Sequence, residues 1–231
     1  MNALKYIVAG GSSGIGLEIT KKLLGNGHQV VVLSRTAPGL SEDGLTHIPF
    51  DFTSDDALPE ITGAIDGLVY CPGSIFLKPI STIKEKDIEA DFKLNAVGAF
   101  RFLKAYKSNL LMAQNPGVVF FSSVAASTGM PFHSSVSMSK GAVEAFTRAA
   151  AAELAPSIRV NCIAPSLTDT PLAEPLLNNE AKRTANSDRH PLKRIGTATE
   201  IANLAAFVLT EANWMTGQIL GINGGLGTLI K

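Results

Sequence analysis

A glycine-rich segment near the start of the chain has the spacing of a phosphate-binding loop. The segment Gly10-Gly11-Ser12-Ser13-Gly14-Ile15-Gly16 follows an apolar run and precedes a helical pattern. In this context Gly10 can make the tight turn, Gly14 lets the backbone approach a pyrophosphate, and Gly16 allows helix and strand to pack closely. The first N–H groups of the helix would then face the phosphates. An ordinary glycine-rich turn is the alternative, which the position after the first strand disfavours.

The residues after the second apolar run indicate which dinucleotide this loop would hold. A site that prefers NAD places an Asp or Glu there to bond the ribose 2′-hydroxyl. This chain has Ser34 and Arg35 instead. A hydroxyl and a guanidinium suit a 2′-phosphate, which a carboxylate would repel. The sequence therefore predicts NADP(H), with a solvent-exposed arginine at a strand end as the alternative.

Short apolar runs recur along the chain, with helical patterns between many of them. The runs are continuous rather than alternating, as expected for strands that are buried on both faces. Strands that alternate with helices predict a parallel sheet covered on both faces, and right-handed crossovers make this a doubly wound (Rossmann) fold. We therefore predict one α/β domain over residues 1–231, with about seven strands. The runs are 6–9, 30–33, 46–50 (the weakest), 68–71, 118–121, 160–164 and 219–222.

The helical patterns leave one long segment without strong periodicity. Helices are predicted at 92–112 and 142–154, and the sequence Thr197-Ala198-Thr199-Glu200 has the pattern of a capping box that opens a helix through Leu209. Residues 165–195 have no such pattern, and loops of that length are usually lids or binding loops. We expect a substrate lid at about 165–198.

The composition excludes several classes of protein. The 231 residues carry 20 basic and 20 acidic side chains, so the formal net charge is zero, which argues against a nucleic-acid binder held by a strong positive field. No apolar run approaches the roughly 20 residues that span a bilayer. Two cysteines are too few for a disulfide framework, and neither lies in a metal-ligand cluster. These features predict a cytoplasmic protein with no metal and no membrane partner.

The loop spacing Gly-x-x-x-Gly-x-Gly resembles that of the short-chain dehydrogenase/reductase family, and matching segments continue along the chain. The resemblance places Asp51 and the backbone amide of Phe52 at the adenine, and it places Gly73 in the cofactor site. It implies that Pro165 leads to the nicotinamide, and that Thr168 and Thr170 contact the carboxamide and the pyrophosphate. Ser166 stands where the family has Gly. The segments that carry the resemblance are 51–53, 93–98, 120–123, 160–165, 194–196, 216–218 and 223–225.

The resemblance also implies a set of catalytic residues, of which this chain lacks one. Asn95, Ser123 and Lys140 match the family's catalytic positions, and Lys140 would also hold the nicotinamide ribose. The family's tyrosine belongs four residues before Lys140, where this chain has Val136. In the family the phenol donates the proton to the developing alkoxide, and a general acid is typically worth about 10²–10⁴ in rate. The nearest residues that could replace the tyrosine as proton donor are His133 and Ser137. In the alternative interpretation, His133 is an ordinary loop histidine and Ser137 is a structural serine.

The resemblance implies an NADP(H)-dependent oxidoreductase that transfers a hydride between NADPH and a carbonyl or alcohol substrate. Because Val136 has no proton to donate, an NADP(H)-binding protein with little or no catalysis, acting as a sensor or assembly partner, is the alternative. A methyltransferase that uses S-adenosylmethionine also has a glycine-rich first loop, but its ribose site would offer a carboxylate where Ser34 and Arg35 lie. The resemblance further implies a homodimer or homotetramer, formed through the helices at 92–112 and 142–154 and the C-terminal strand.

Overall fold

A parallel sheet runs through the centre of the computed structural model, which describes residues 3–229. Seven strands pair in the order β3-β2-β1-β4-β5-β6-β9, and the short strands β7 and β8 pair separately. The predicted doubly wound α/β sheet is confirmed. In chain order the strands are β1 (Lys5–Ala9), β2 (Gln29–Ser34), β3 (Leu45–Pro49), β4 (Gly67–Tyr70), β5 (Gly117–Phe121), β6 (Arg159–Pro165), β7 (Thr168–Asp169), β8 (Gly196–Thr197) and β9 (Ile219–Ile222).

Helices cover both faces of this sheet. Phe102 and Val143 lie in the buried cluster on one face, and Ile19 and Ile201 lie in the cluster on the other. Burying a large apolar side chain of this kind stabilises the fold by about 1.5–3 kcal/mol. Within residues 3–229, no helix has both the length and the apolar character needed to cross a membrane. The helices are α1 (Gly14–Gly25), α2 (Glu85–Phe92), α3 (Gly98–Leu110), α4 (Ser134–Leu154), α5 (Glu174–Leu177), α6 (Glu180–Asp188) and α7 (Ala198–Thr210).

Two helices begin earlier than the sequence pattern predicts. The π-helical segment Lys93–Val97 joins α2 to α3, so the predicted helix at 92–112 is the second half of a longer helical stretch. The helix predicted at 142–154 begins at Ser134. In its first turns the Ser135 hydroxyl donates to Asp91 and the Ser137 hydroxyl donates to the Ala125 carbonyl. Ser135 and Ser139 are fully buried. Serine has modest helix propensity, which is why the sequence pattern understates this end of α4.

The segment predicted as a lid loop consists largely of short regular elements. It contains β7, a 3₁₀ turn, α5 and α6 before β8. Pro171 and Pro175 occupy the first turns of short helical segments, where the missing N–H costs no hydrogen bond. The capping box at the start of α7 is confirmed, since the Thr197 side chain accepts from the Glu200 N–H and the Glu200 carboxylate accepts from the Thr197 N–H.

Candidate active site

The glycine loop after β1 is closed so tightly that its glycines are required. Gly10 and Gly14 have φ angles of +72° and +52°, in the left-handed region that favours glycine. A Cβ on Gly16 would overlap the carbonyl oxygen of Gly10. The loop therefore brings the first turn of α1 against the end of β1, and the contact between them is made by backbone atoms.

The first turn of α1 leaves its N–H groups without a side-chain cap. Ser13 is the N-cap residue, and its hydroxyl makes no capping hydrogen bond. Free N–H groups and the helix dipole give this end of α1 a partial positive charge. A Cβ on Gly14 would lie 3.3 Å from the Cβ of Thr170, so the start of the lid segment lies directly over the loop. The result is a concave surface suited to an anion.

The ends of β2 and β3 lie beside this loop. Ser34 is buried, and its hydroxyl donates to the Thr36 carbonyl at 2.8 Å, whereas Arg35 is exposed. The Asp51 carboxylate accepts from the N–H of Thr53 at 2.9 Å. That hydrogen bond is the main reason why the pKa of Asp51 lies below its usual range, and the positive charge of Arg35 adds to the effect. Arg35 is therefore an exposed cation at this edge, and Ser34 would have to turn its hydroxyl to reach a phosphate.

Lys140 reaches from α4 to the carboxyl end of β5. Its ammonium is buried and donates to the Phe121 carbonyl at 2.9 Å. A Cβ on Gly73 would lie 3.2 Å from this ammonium, so the glycine leaves space beside it. Burial lowers the pKa of Lys140 below its usual range, and the nearby Asp91 is among the groups that oppose this shift. The ammonium has donors left over that face the space at Gly73.

Asn95 lies in the π-helical segment, where it faces the same space from the other side. Its side-chain N–H₂ donates to the Asp91 carbonyl at 2.8 Å and to the Asp91 carboxylate at 2.9 Å. Its Oδ1 atom is buried and has no hydrogen-bond partner. A Cβ on Gly73 would lie 3.1 Å from that oxygen. An orphaned buried acceptor is costly, so this oxygen is poised for a ligand that donates a hydrogen bond.

A cavity of about 240 Å³ opens beside these groups. Ser123 lies at the end of β5, and its hydroxyl accepts from the Ala125 N–H at 3.2 Å. Val136 and His133 are contributed by the start of α4, and the His133 Nδ1 atom is 2.7 Å from the Pro131 carbonyl. The predicted site residues that line the cavity are Ile15, Gly73, Ser123, His133, Val136, Lys140, Pro165, Thr168 and Thr170.

Other predicted residues lie outside the cavity lining. Asn95 is buried behind Gly73. The rest of the glycine loop, Ser34, Arg35, Asp51 and Phe52 follow the same edge of the sheet towards β3. Phe52 itself packs into the core, edge-on to Tyr70, so only its backbone is available to a ligand. Ser137 donates its hydroxyl to the Ala125 carbonyl at 2.7 Å, which is a structural contact.

Sequence reasoning missed two polar clusters at this cavity, one around Asp91, which is buried behind the lining residue Ser74, and one formed by Ser166 and His190. Asp91 accepts hydrogen bonds from Ser74 and from Ser135, the latter at 2.6 Å. On the opposite side, the Ser166 hydroxyl lies 2.8 Å from the Nε2 atom of the buried His190. Only Ser166 carried a signal, because it departs from the family's Gly. His190 is 24 residues away along the chain, and no local pattern links the two.

A dinucleotide fits these residues. The glycine loop and the uncapped start of α1 suit a pyrophosphate, and the exposed Arg35 suits an anionic group near the adenosine end. Gly73 is the only glycine among the described residues that line the cavity. The unpartnered Asn95 oxygen and the Lys140 ammonium flank it.

Comparisons with known proteins agree with this fit. The family model described as enoyl-(acyl carrier protein) reductase matches residues 9–227. The 3-oxoacyl-(acyl-carrier-protein) reductase FabG of Thermotoga maritima is 31% identical, covering 95% of this chain and 96% of that protein. Aldohexose dehydrogenase of Thermoplasma acidophilum, in ligand-free form, superposes with a TM-score of 0.89 at 28% identity, over 99% of this chain and 96% of that one.

A further similar structure is described as a complex with a cofactor. The NADP active-site complex of RhlG from Pseudomonas aeruginosa has a TM-score of 0.90 at 26% identity, over 98% of this chain and 97% of that one. The matched segment of the family model spans every element from the glycine loop to the end of β9. The chain therefore belongs to the short-chain dehydrogenase/reductase family of oxidoreductases.

Proposed function

We propose that this oxidoreductase uses NADP(H) and reduces a carbonyl compound, or oxidises the corresponding alcohol. The observation that carries the proposal is that Lys140 and the hydroxyl of Ser123 line one cavity, with the unpartnered oxygen of Asn95 directly behind the lining residue Gly73. When bound there, NADPH would supply the hydride. Ser123 would donate a hydrogen bond to the carbonyl oxygen and so polarise it.

The preference for NADP(H) rests on the edge of the sheet beside the glycine loop. Arg35 is exposed there, and Ser34 takes the place of the carboxylate that an NAD site would need. A 2′-phosphate would gain a charge-assisted hydrogen bond from the guanidinium. RhlG, described with NADP bound, supports the same choice.

The substrate would enter beneath the lid segment. Leu167, Leu172 and Leu176 line the cavity from that side, so most of a substrate would meet apolar surface. Arg189 also lines it and offers one positive charge. These contacts suit a mainly apolar carbonyl compound with one polar or anionic group.

The second candidate function is cofactor binding without turnover, and Val136 favours it. A valine cannot donate the proton that the alkoxide requires, so catalysis needs another donor that faces the cavity. His133 is one such group, since the hydrogen bond to Pro131 uses Nδ1 and leaves Nε2 available.

Two measurements test the proposed function. NADPH should bind at least about tenfold more tightly than NADH, a difference of about 1.4 kcal/mol, and equal affinities would refute the role of Arg35. The native chain should then consume NADPH with some member of a panel of aldehydes, ketones and quinones. Turnover by Val136→Tyr alone, with none by the native chain, would establish the cofactor-binding alternative.

We also propose that the chain forms a homo-oligomer through α3 and α4. Ala145, Ala149 and Ala152 are exposed on one face of α4, and Phe100 and Val97 are exposed at the start of α3. Small and apolar side chains of this kind allow close helix packing between subunits. Light scattering at micromolar concentration should give a dimer or tetramer mass, and a clean monomer would overturn the proposal.

A further inference from the structure

Ser166 and His190 form a hydrogen-bonded pair in the wall of the cavity. The Ser166 hydroxyl oxygen is 2.8 Å from Nε2 of His190, and both residues line the cavity. The other ring nitrogen, Nδ1, is 2.8 Å from the Asn186 carbonyl. The pair therefore has the arrangement of a hydroxyl, an imidazole and a group that orients the imidazole.

The hydrogen bonds fix which nitrogen carries the proton. A carbonyl oxygen can only accept, so Nδ1 of His190 must be the N–H that donates to Asn186. In the neutral ring Nε2 is then an acceptor, and the Ser166 hydroxyl donates to it. In the imidazolium form Nε2–H donates to the Ser166 oxygen instead, and the serine proton is free to point into the cavity.

The surrounding backbone holds this pair in place. Ser166 is anchored because its carbonyl accepts from the Thr168 hydroxyl at 3.0 Å. His190 is only 3% exposed, and Gly224 packs against its ring, where a Cβ would lie 3.3 Å from His190 Cδ2. A preorganised proton donor needs this kind of restraint on its rotamer.

The carboxyl ends of two neighbouring strands bring Ser123 and Ser166 to the same cavity. β5 and β6 pair as far as Phe121 and Ile163, Ser123 follows β5 by two residues, and β6 ends at Pro165. Ser166 is the next residue, and its side chain faces the same cavity as that of Ser123. A substrate bound in this cavity would therefore meet both hydroxyls.

We propose that Ser166, backed by His190, passes the proton to and from the substrate oxygen. The inference rests on the proposed function, since it supplies the donor that Val136 cannot provide. In reduction the carbonyl carbon gains a hydride and the π electron pair moves to its oxygen. Ser166 gives that oxygen its proton and takes the Nε2 proton of imidazolium His190, which is left neutral and is reprotonated from solvent. Alcohol oxidation runs the same transfers in reverse.

The test compares four variants using the best carbonyl substrate of the panel. Ser166→Ala and His190→Gln should lower kcat by about 100-fold or more, because a general acid contributes about 10²–10⁴. Ser166→Thr keeps the hydroxyl and should recover most of kcat. His28→Gln is the control, since His28 lies outside the cavity lining and its Nδ1 accepts from the Leu4 N–H, and it should change kcat by less than about threefold. NADPH affinity should be unchanged in all four.

Each other outcome decides a separate question. If the native chain turns over but Ser166→Ala retains its kcat, the relay is wrong while the proposed function stands. If a fifth variant, His133→Gln, abolishes turnover while Ser166→Ala does not, His133 is the donor and the relay is again wrong. If the native chain turns over no member of the panel, the proposed function fails and the relay fails with it. Because Ser166→Ala removes one half-buried hydroxyl, it separates loss of chemistry from loss of folding even if His190→Gln is unstable.

Discussion

The glycine loop after β1 and the cavity wall between α4 and β6 are built under different constraints. In the loop, backbone atoms occupy the space that a side chain would need, as at Gly16. In the wall, several polar side chains, among them Ser123, Lys140 and Ser166, face one cavity that Val136 also lines. Phosphate recognition by the backbone leaves little freedom of residue type, whereas proton transfer can be moved among groups that share a cavity.

The strongest challenge to this comparison is Gly16→Ala. Its Cβ would overlap a backbone carbonyl that cannot move without opening the loop, so we expect a loss of about 3 kcal/mol or more in the free energy of unfolding. Gly25→Ala in the same helix is the control, because a Cβ there meets nothing within 4 Å. Urea denaturation should show little change or a slight gain for Gly25→Ala. Equal stability of the two variants would contradict the claim that backbone crowding fixes the loop.

The cavity wall should be sensitive to charge rather than to backbone shape. Asp91→Asn replaces a carboxylate that accepts from Ser74, Ser135 and Asn95, so we expect a loss of about 2 kcal/mol. Asp55→Asn is the control, since Asp55 forms only an exposed ion pair with Lys93 and should cost less than about 0.5 kcal/mol. Comparable losses for the two variants in chemical denaturation would show that the buried cluster has no special role.

The edge of the loop should decide cofactor preference without affecting the fold. Arg35→Glu should weaken NADPH binding by at least about tenfold, because a carboxylate would repel the 2′-phosphate, and it should change NADH binding much less. Lys22→Glu makes the same charge change near the other end of α1 and should leave both affinities within about twofold. Titration calorimetry measures both. Parallel losses for the two cofactors would show that Arg35 does not read the 2′ position.

The smallest expected effect lies at the start of α7, next to the lid segment. The hydrogen bond from Arg194, followed by the backbone hydrogen bond from Thr197, lowers the pKa of Glu200 to about 2. A carboxylate with a lowered pKa stabilises the fold above its unfolded pKa, near 4.5, and this contribution is lost as the pH falls towards 2. Glu200→Gln should therefore lower the free energy of unfolding at pH 6 by less than about 1 kcal/mol, with a matching fall in Tm. The difference in Tm between the variant and the native chain should vanish by pH 2. A difference that persists at pH 2 would contradict this cause.

Much of the fold could be predicted because strand and helix patterns depend on neighbouring residues. The apolar run at 219–222 coincides with β9, and the capping box at Thr197 is present as predicted. The start of α4 could not be predicted in the same way, because Ser135 in its first turn donates to Asp91, which lies 44 residues away along the chain. The pairing of Ser166 with His190 was hidden for the same reason. Long-range hydrogen bonds depend on the folded sheet, which brings distant residues together at the strand ends.

Hydride transfer by the native chain tests the central claim most directly. NADPH that carries deuterium in the transferable position of the nicotinamide would be incubated with the carbonyl panel, and the products analysed by mass spectrometry. The arrangement of Lys140, Asn95 and Ser123, with the proton supplied by Ser166, predicts an alcohol product that carries one deuterium on its former carbonyl carbon. NADPH binding without deuterium in any product would contradict it and leave a cofactor-binding protein without turnover.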